Sequence, residues 1–248
     1  MNGEGAQGGK KLLVVDDDPI SLQIAALLLA AEGFVVEQAE SGEEALEELA
    51  QSHEHPEVML VDLQMPGICG NALAARLREA TGAHLIAMSA TEPSAGQVAG
   101  YDGFVLKPLD QAALREIAGG GAPKKAADLE STGNDDEAVL DLAVLAKLQK
   151  AMPPSAVAEV FDACLSDTRR RTAAMRAMSA AGDMSAVRAA AHTIKGGAAM
   201  VGAVRIATLA AGLELNVYQK DDVPPKLDEL LSACDEAERI LFRYTTTD

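Results

Sequence analysis

Four apolar segments of strand length are each followed by residues that could bind or transfer a charged group. In chain order these residues are Asp16 and Asp17, Asp62, Ser89 and Lys107. Because open α/β sheets bind ligands at the carboxyl ends of their parallel strands, we expect these side chains to converge at one sheet edge. Three carboxylates placed together repel one another, which predicts a divalent cation between them, and Mg²⁺ suits a small set of oxygen ligands.

The elements that must hold these residues alternate along the first half of the chain. The segment before Asp62 is short, apolar and flanked by Pro56 and Pro66, which is typical of a buried parallel strand. We predict strands near 11–15, 34–38, 57–61, 84–88 and 103–106, and helices near 19–32, 42–51, 69–79 and 110–118. This alternation indicates a doubly wound, parallel α/β sheet. A helix over residues 91–100 is expected to be short or partly melted, because it contains Pro93 and two glycines.

The order and spacing of these residues closely resemble a response-regulator receiver domain of bacterial two-component signalling. The resemblance covers about residues 10–118 and implies a flavodoxin-like, five-stranded parallel sheet. It implies that Asp62 accepts a phosphoryl group, that Lys107 contacts this group, and that the bond from Lys107 to Pro108 is cis. Ser89 and Phe104 would be the switch residues, the hydroxyl moving toward the phosphoryl group and the aromatic ring turning inward.

The same resemblance implies the ligands of the metal ion. Asp17 and Asp62 would bind Mg²⁺ directly, with the backbone carbonyl of Gln64 as a third ligand. Asp16 would act through water. The neighbouring Asp18 is expected to face solvent as a bystander.

A histidine in the second half of the chain lies in an alanine-rich helical pattern. At 100° per residue the helix has a core stripe, which consists of Val187, Ala191, Ile194, Ala198 and Val201. His192 then lies on an outward strip with Arg188 and Lys195, and Gly196 and Ala199 leave room beside it. A neutral imidazole nitrogen is a nucleophile, and nearby cations stabilise transferred negative charge. The pattern therefore predicts a phosphoryl acceptor at His192.

This segment resembles a histidine-containing phosphotransfer (HPt) domain, whose motif is His-x-x-Lys-Gly followed by small residues. The match covers about residues 138–244, and Glu214 also fits the family's pattern, whereas Met200 stands where the family often has a polar amide. We predict helices near 142–151, 154–181, 183–200, 203–219 and 224–244, which indicates an antiparallel helical bundle.

Composition and spacing predict the domain limits and exclude several classes. We expect a flexible tail at 1–9, the receiver domain at 10–118, a linker at 119–137 and the helical bundle at 138–248. A net charge of −17 argues against non-specific nucleic-acid binding. No apolar run reaches the roughly 20 residues of a membrane span. Three scattered cysteines suit a reducing cytoplasm and offer no zinc site.

These features predict a phosphorelay protein that carries phosphate on Asp62 and His192. Neither half contains a glycine-rich nucleotide-binding box, so we expect a phosphotransfer protein without a kinase domain. Its partners would be a separate sensor histidine kinase and other receiver domains, and the linker would permit an intramolecular contact between the two domains. Two alternatives remain, in which the receiver only gates access to His192 or the protein drains phosphate by hydrolysis. A phosphatase of the haloacid dehalogenase type is disfavoured, because Gln64 occupies the position of its second aspartate.

Overall fold

The computed structural model describes residues 9–109, 113, 116–117, 139–215 and 221–245. Its contacts divide the chain into two compact units, Met1–Ala127 and Asp128–Asp248. The predicted linker at 119–137, nearly all of the predicted tail at 1–9 and most of the predicted helix at 110–118 lie outside the described residues. The domain limits therefore stay predictions.

The N-terminal unit is built on a parallel sheet with the strand order β2-β1-β3-β4-β5. Its strands are β1 (Lys11–Val15), β2 (Val35–Ala39), β3 (Val58–Asp62), β4 (His84–Ser89) and β5 (Gly103–Leu106). Its helices are α1 (Pro19–Ala31), α2 (Gly42–Gln51) and α3 (Gly70–Ala80). Each strand lies within one residue of its predicted limits, and the predicted flavodoxin-like order is confirmed.

Burial of the sheet explains why its central strands are apolar throughout. Every residue of β3 is buried, and the registers pair Val15 with Val61 and Asp62 with Met88. Side chains from α2 and α3 pack with one face of the sheet, where Phe104 also contacts the core. Because neighbouring parallel strands end together, this register places the residues that follow β1, β3, β4 and β5 at one edge.

The first helix begins after Asp18, which follows Asp16 and Asp17 and caps the helix with its side chain. Asp18 accepts hydrogen bonds from the backbone N–H and the hydroxyl of Ser21, at 3.0 and 2.9 Å. Asp18 is only 3% exposed, so the prediction that it faces solvent is wrong. Its carboxylate is used to satisfy the N–H groups of the first turn of α1, which otherwise have no partner within the helix.

Residues 91–100, between β4 and β5, form turns and contain no helix. The expectation of a short or partly melted helix is confirmed, since no helix forms there. The side chain of Asn71 in α3 donates to the Gly96 carbonyl at 2.6 Å and accepts from the Gly100 N–H at 3.3 Å. The Tyr101 hydroxyl donates to the Gly70 carbonyl at 3.0 Å. These bonds attach the turns to the beginning of α3.

The C-terminal unit is helical in all of its described residues outside short connections. Its helices are α4 (Leu142–Ala151), α5 (Pro154–Ala180), α6 (Met184–Val201), α7 (Val204–Leu215) and α8 (Val223–Thr245). The principal contacts join α6 to α7, α5 to α8 and α5 to α6. The predicted continuation of α7 over 216–219 lies outside the described residues. The predicted helical bundle is confirmed.

The core stripe of α6 is buried as predicted, with Val187, Ala191, Ile194, Ala198 and Val201 all at most 2% exposed. Gly202 ends this helix with a left-handed φ of 74°. A Cβ atom there would lie 2.8 Å from the Cβ of Val144, so a glycine is needed where α4 approaches. Among the helices of the described ranges, none combines the length and the apolar character that crossing a bilayer requires.

Candidate functional site

Three aspartates meet at the carboxyl edge of the sheet. Asp16 and Asp17 follow β1, and Asp62 is the last residue of the adjacent strand β3. One oxygen from each carboxylate lies within 4.8 Å of the other two. Asp16 is 1% and Asp62 is 6% exposed, which leaves these charges largely out of water. The structure thus brings together the three predicted metal-binding side chains.

Lys107, which follows the edge strand β5, neutralises part of this cluster. Its ammonium contacts Oδ2 of Asp16 at 2.5 Å and Oδ2 of Asp62 at 2.6 Å. Burial lowers the pKa of Lys107, but the two carboxylates more than offset this effect and raise that pKa above its ordinary value. The peptide bond to Pro108 is cis, as the receiver resemblance implied.

The remaining negative charge makes the cluster a fitting site for a cation. Burial, and then the charge of Asp62, raise the pKa of Asp17. Burial raises the pKa of Asp16 to about 7, although Lys107 opposes this increase. Three carboxylates face one ammonium here, and their oxygens are the hard ligands that Mg²⁺ prefers. The donor set therefore fits a bound Mg²⁺.

The other predicted residues of this unit lie around the cluster. Gln64 lies in the turn after β3, where its backbone N–H donates to Oδ1 of Asp62 at 3.0 Å. Ser89 ends β4 and is 8% exposed, and its hydroxyl oxygen accepts from the Thr91 N–H at 3.3 Å. Phe104 is partly buried against the core. The metal-binding role of the Gln64 carbonyl and the switching roles of Ser89 and Phe104 stay predictions.

His192 in the second unit is held by a glutamate of the next helix. Its Nδ1 lies 2.8 Å from Oε1 of Glu214, and the Lys195 ammonium lies 2.6 Å from Oε2 of the same carboxylate. The His192 side chain is 22% exposed, whereas the Lys195 side chain is 7% exposed. The prediction that Lys195 lies on an outward strip is wrong. Glu214 supplies a counter-ion within the bundle, so the Lys195 ammonium is paired although its side chain is buried.

The contact with Glu214 distinguishes the two ring nitrogens of His192. A carboxylate at Nδ1 favours the tautomer in which Nδ1–H donates, which leaves the lone pair on Nε2. Burial raises the pKa of Glu214, but hydrogen bonds from His192 and Lys195 outweigh burial and hold it below its ordinary value. Glu214 matched the family pattern in the sequence, but its two contacts were not predicted. A His-x-x-Lys pair facing a glutamate one helix later is the signal that could have indicated them.

Two further predicted residues lie on the same helix. Arg188 is exposed one turn before His192, as expected for an outward-facing residue. Gly196 is buried next to Lys195, so its role in leaving room for a partner stays a prediction.

Comparison with protein families matches both units. The family model described as a response regulator receiver domain matches residues 12–118, and the Hpt domain model matches residues 143–240. The first interval contains the aspartate cluster with Lys107, and the second contains His192 with Glu214.

Curated relatives match parts of the chain. Transcriptional regulatory protein CseB of Streptomyces coelicolor is 32% identical over 136 residues, which are 49% of this chain and 57% of CseB. Transcriptional regulatory protein ResD of Bacillus subtilis is 29% identical over 40% of this chain and 42% of ResD. Hybrid signal transduction histidine kinase L of Dictyostelium discoideum is 32% identical over 43% of this chain and 7% of that protein. The chain thus spans about half or less of the length of these relatives.

A similar solved structure is that of response regulator protein TrrA from Thermotoga maritima in complex with Mg(2+)-BeF. It is 30% identical, covers 45% of this chain and 97% of the TrrA chain, and gives a TM-score of 0.41. The family assignment rests on the two matched models, which account for the sheet unit and the helical unit separately. The chain is therefore a two-component signal-transduction protein in which a response regulator receiver domain precedes an Hpt domain.

Proposed function

We propose that this protein is a phosphorelay carrier that holds a phosphoryl group on Asp62 of the receiver domain and on His192 of the Hpt domain. The observation that carries the proposal is the contact of Glu214 with Nδ1 of His192, because it presents Nε2 as the nucleophile in a domain tethered to a receiver. A second acceptor, Asp62, lies beside Lys107 at the sheet edge. We expect the protein to act in the cytoplasm.

Asp62 would accept the phosphoryl group from a phosphohistidine. A carboxylate oxygen of Asp62 attacks phosphorus, the new O–P bond forms, the N–P bond breaks, and the leaving imidazole takes up a proton. Lys107 already contacts Oδ2 of Asp62 and can follow the negative charge onto the phosphoryl oxygens. Ser89 would donate its hydroxyl to one of these oxygens, and Phe104 would turn inward after it.

Residues of the same edge would hold Mg²⁺. Asp17 and Asp62 offer carboxylate oxygens, the Gln64 carbonyl is the third proposed ligand, and Asp16 would act through water. When bound, Mg²⁺ supplies positive charge against the phosphoryl oxygens and the carboxylates.

His192 would react through Nε2. Attack on an acyl phosphate forms an N–P bond, breaks the O–P bond and leaves the aspartate as a carboxylate. The ring gains positive charge in this step, and Glu214 stabilises it across the 2.8 Å contact with Nδ1. Lys195 holds the other oxygen of Glu214 in place. Arg188, exposed one turn away, could meet the phosphoryl oxygens.

The partners follow from this chemistry. A separate sensor histidine kinase would supply the phosphoryl group, and other receiver domains would receive it from His192. The chain itself contributes a receiver and an Hpt domain, and transfer between them within one molecule is part of the proposal. The net charge of −17 supports protein partners rather than nucleic acid.

Phosphotransfer profiling tests the proposal. Wild type, Asp62→Asn and His192→Gln would be incubated with labelled histidine kinases and with separate receivers, and phosphoaspartate and phosphohistidine would be distinguished by their acid and base stability. His53→Gln is the matched control, because His53 is exposed in a loop. With a kinase as the donor, the relay predicts that Asp62→Asn loses both labels, that His192→Gln loses only the phosphohistidine, and that passage through the chain stops in both variants.

Other results would contradict the relay. A gating receiver would be favoured by two results together: His192 is labelled normally in Asp62→Asn, and phosphorylation of Asp62 in the wild type changes the rate of His192 labelling. A phosphohistidine that no receiver accepts would favour a phosphate sink.

A further inference from the structure

The turn after Asp62 leaves the sheet and is held by other elements. The Leu63 N–H donates to the Met88 carbonyl at 3.1 Å, which is the last bond of the turn to a strand. Gln64 follows and donates its backbone N–H to Oδ1 of Asp62. Residues 63–69, here called the acceptor loop, therefore place a backbone group against the proposed phosphoryl acceptor.

The first turn of α2 holds the loop at Ile68. The backbone N–H of Ile68 donates to Oε1 of Glu43 at 3.0 Å. On the other side of the same residue, the Ile68 carbonyl lies so near Gly42 that a Cβ there would be 2.4 Å from the oxygen. Two consecutive residues of α2 thus contact both polar backbone groups of one loop residue.

Gly67 leaves space for this arrangement. Its φ is +78°, a conformation that side chains disfavour. A Cβ at Gly67 would lie 2.7 Å from Oε1 and 2.8 Å from Oε2 of Glu43. The carboxylate therefore packs directly against the loop backbone. The hydrogen bond from Ile68 holds the pKa of Glu43 below its ordinary value, so the carboxylate is ionised at neutral pH.

We propose that Glu43 is a positioning residue that fixes the acceptor loop on α2 and so keeps Gln64 in register with Asp62. The inference rests on the proposed function, since it concerns the metal and phosphoryl site at Asp62. Glu43 acts through the loop and touches neither the phosphoryl group nor the metal ion. At the other end of the loop, the bond from Tyr101 to the Gly70 carbonyl provides a second attachment.

The variants that test this role differ in what they remove. Glu43→Ala removes the acceptor oxygen, and Glu43→Gln retains a neutral acceptor oxygen at the same reach. Glu47→Ala is the matched control, because it removes an exposed carboxylate of the same helix. Gly42→Ala displaces the Ile68 carbonyl by steric contact and leaves Glu43 intact.

Hydrogen exchange in the metal-free protein measures the attachment itself. Glu43→Ala is expected to accelerate amide exchange in a peptide that contains Ile68 by about fivefold, as for the loss of one net hydrogen bond. Glu43→Gln should recover most of the protection, and Glu47→Ala should match wild type. Equal exchange in wild type and in both Glu43→Ala and Gly42→Ala would overturn the proposal.

Calorimetric titration with MgCl₂ measures the consequence for the site. We expect about fivefold weaker Mg²⁺ binding in Glu43→Ala and near wild-type binding in Glu43→Gln. Glu47→Ala should show only the small change in Mg²⁺ affinity that follows from removing one surface charge. Equal weakening in Glu43→Ala and Glu47→Ala would overturn the positioning role. If wild type bound no Mg²⁺, the proposed function would fail at this site and the inference with it, while the exchange data would still report on the attachment.

Discussion

The two proposed phosphate carriers solve opposite electrostatic problems. In the receiver domain, Asp62 must stay charged beside two other carboxylates, and one deeply buried ammonium offsets part of that charge. In the Hpt domain, His192 must keep a lone pair on Nε2, and one carboxylate serves both its ring and Lys195. The receiver site therefore has an excess of negative charge, and the Hpt site is close to balance.

This difference in charge indicates which of the two sites favours a bound cation. Burial raises the pKa of Asp16 to about 7, which expresses the cost of gathering carboxylates out of water. Burial also raises the pKa of Glu214, but hydrogen bonds from His192 and Lys195 outweigh it, so the net shift is opposite to that of Asp16. The excess of negative charge at the first site favours a bound cation, whereas at the second site Glu214 pairs with both His192 and Lys195.

Removing each nucleophile should have the largest effect and should separate the two sites. Asp62→Asn is expected to lower receiver labelling by a phosphohistidine donor at least about a thousandfold, because the amide oxygen is a poor nucleophile. His192→Gln should do the same for the Hpt label and leave the other label intact. Intact-mass spectrometry with acid and base quenching measures both. Labelling of Asp62→Asn at an unrelated carboxylate would contradict the assignment of Asp62 as the acceptor.

Removing each lysine should distinguish an enclosed charge cluster from a partly hydrated one. Lys107→Ala leaves two buried carboxylates unpaired and should destabilise the receiver by about 3 kcal/mol. Lys195→Ala should cost about 1.5 kcal/mol, because Glu214 keeps His192 as a partner and can reach water.

Thermal unfolding followed by circular dichroism would compare these lysine variants, with the exposed Lys150→Ala as control. Equal losses at both lysines would contradict the distinction.

Magnesium should stabilise only the receiver domain. At about ten times its Kd, Mg²⁺ is expected to raise the free energy of unfolding of that domain by about 1.4 kcal/mol. Asp17→Asn should reduce this gain, and the Hpt transition should not move. Domain-resolved hydrogen exchange with and without EDTA measures the effect, with CaCl₂ as a test of ion selectivity. A shift of the Hpt peptides would contradict the proposed independence of the second site from metal.

Acid should weaken the Hpt site, with the smallest effect of the four. The pKa of Glu214 in the folded protein lies below its ordinary value of 4.5, so its contribution to stability is fully present above that value. The contribution is lost as the pH falls from about 4.5 through the lower folded-state pKa. The stability difference between wild type and Glu214→Gln should therefore shrink over this range. Urea unfolding at several pH values measures it, with Glu159→Gln as an exposed control.

The sequence predicted elements better than it predicted the burial of charged side chains. The strand limits were within one residue, because short apolar runs between turn residues have few alternative structures. Asp18 and Lys195 were both expected in solvent and are both buried. Each has a partner that helical periodicity in the sequence does not reveal. Asp18 accepts from the first turn of α1, and Lys195 pairs with Glu214 of α7.

The convergence of Asp16, Asp17, Asp62 and Lys107 could be predicted, because strand ends meet at one edge whatever the loops do. The hydrogen bond from Ile68 to Glu43 of α2 could not be predicted, since it joins residues 25 positions apart and its donor is a backbone N–H that any residue except proline supplies. The close approach of the two segments is indicated in the sequence only by Gly42 and Gly67, where a Cβ atom would collide with the other segment.

The turns over residues 91–100 affect how a movement at Ser89 can spread. A helix moves largely as a rigid body, so a displacement at one end is transmitted to the other. A succession of turns is more easily deformed, so a displacement is transmitted only to the nearest residues that are hydrogen-bonded to another element. In this protein those hydrogen bonds involve the side chain of Asn71 and the hydroxyl of Tyr101, and both attach the turns to the beginning of α3. We therefore expect motion that starts at Ser89 to reach the beginning of α3 first.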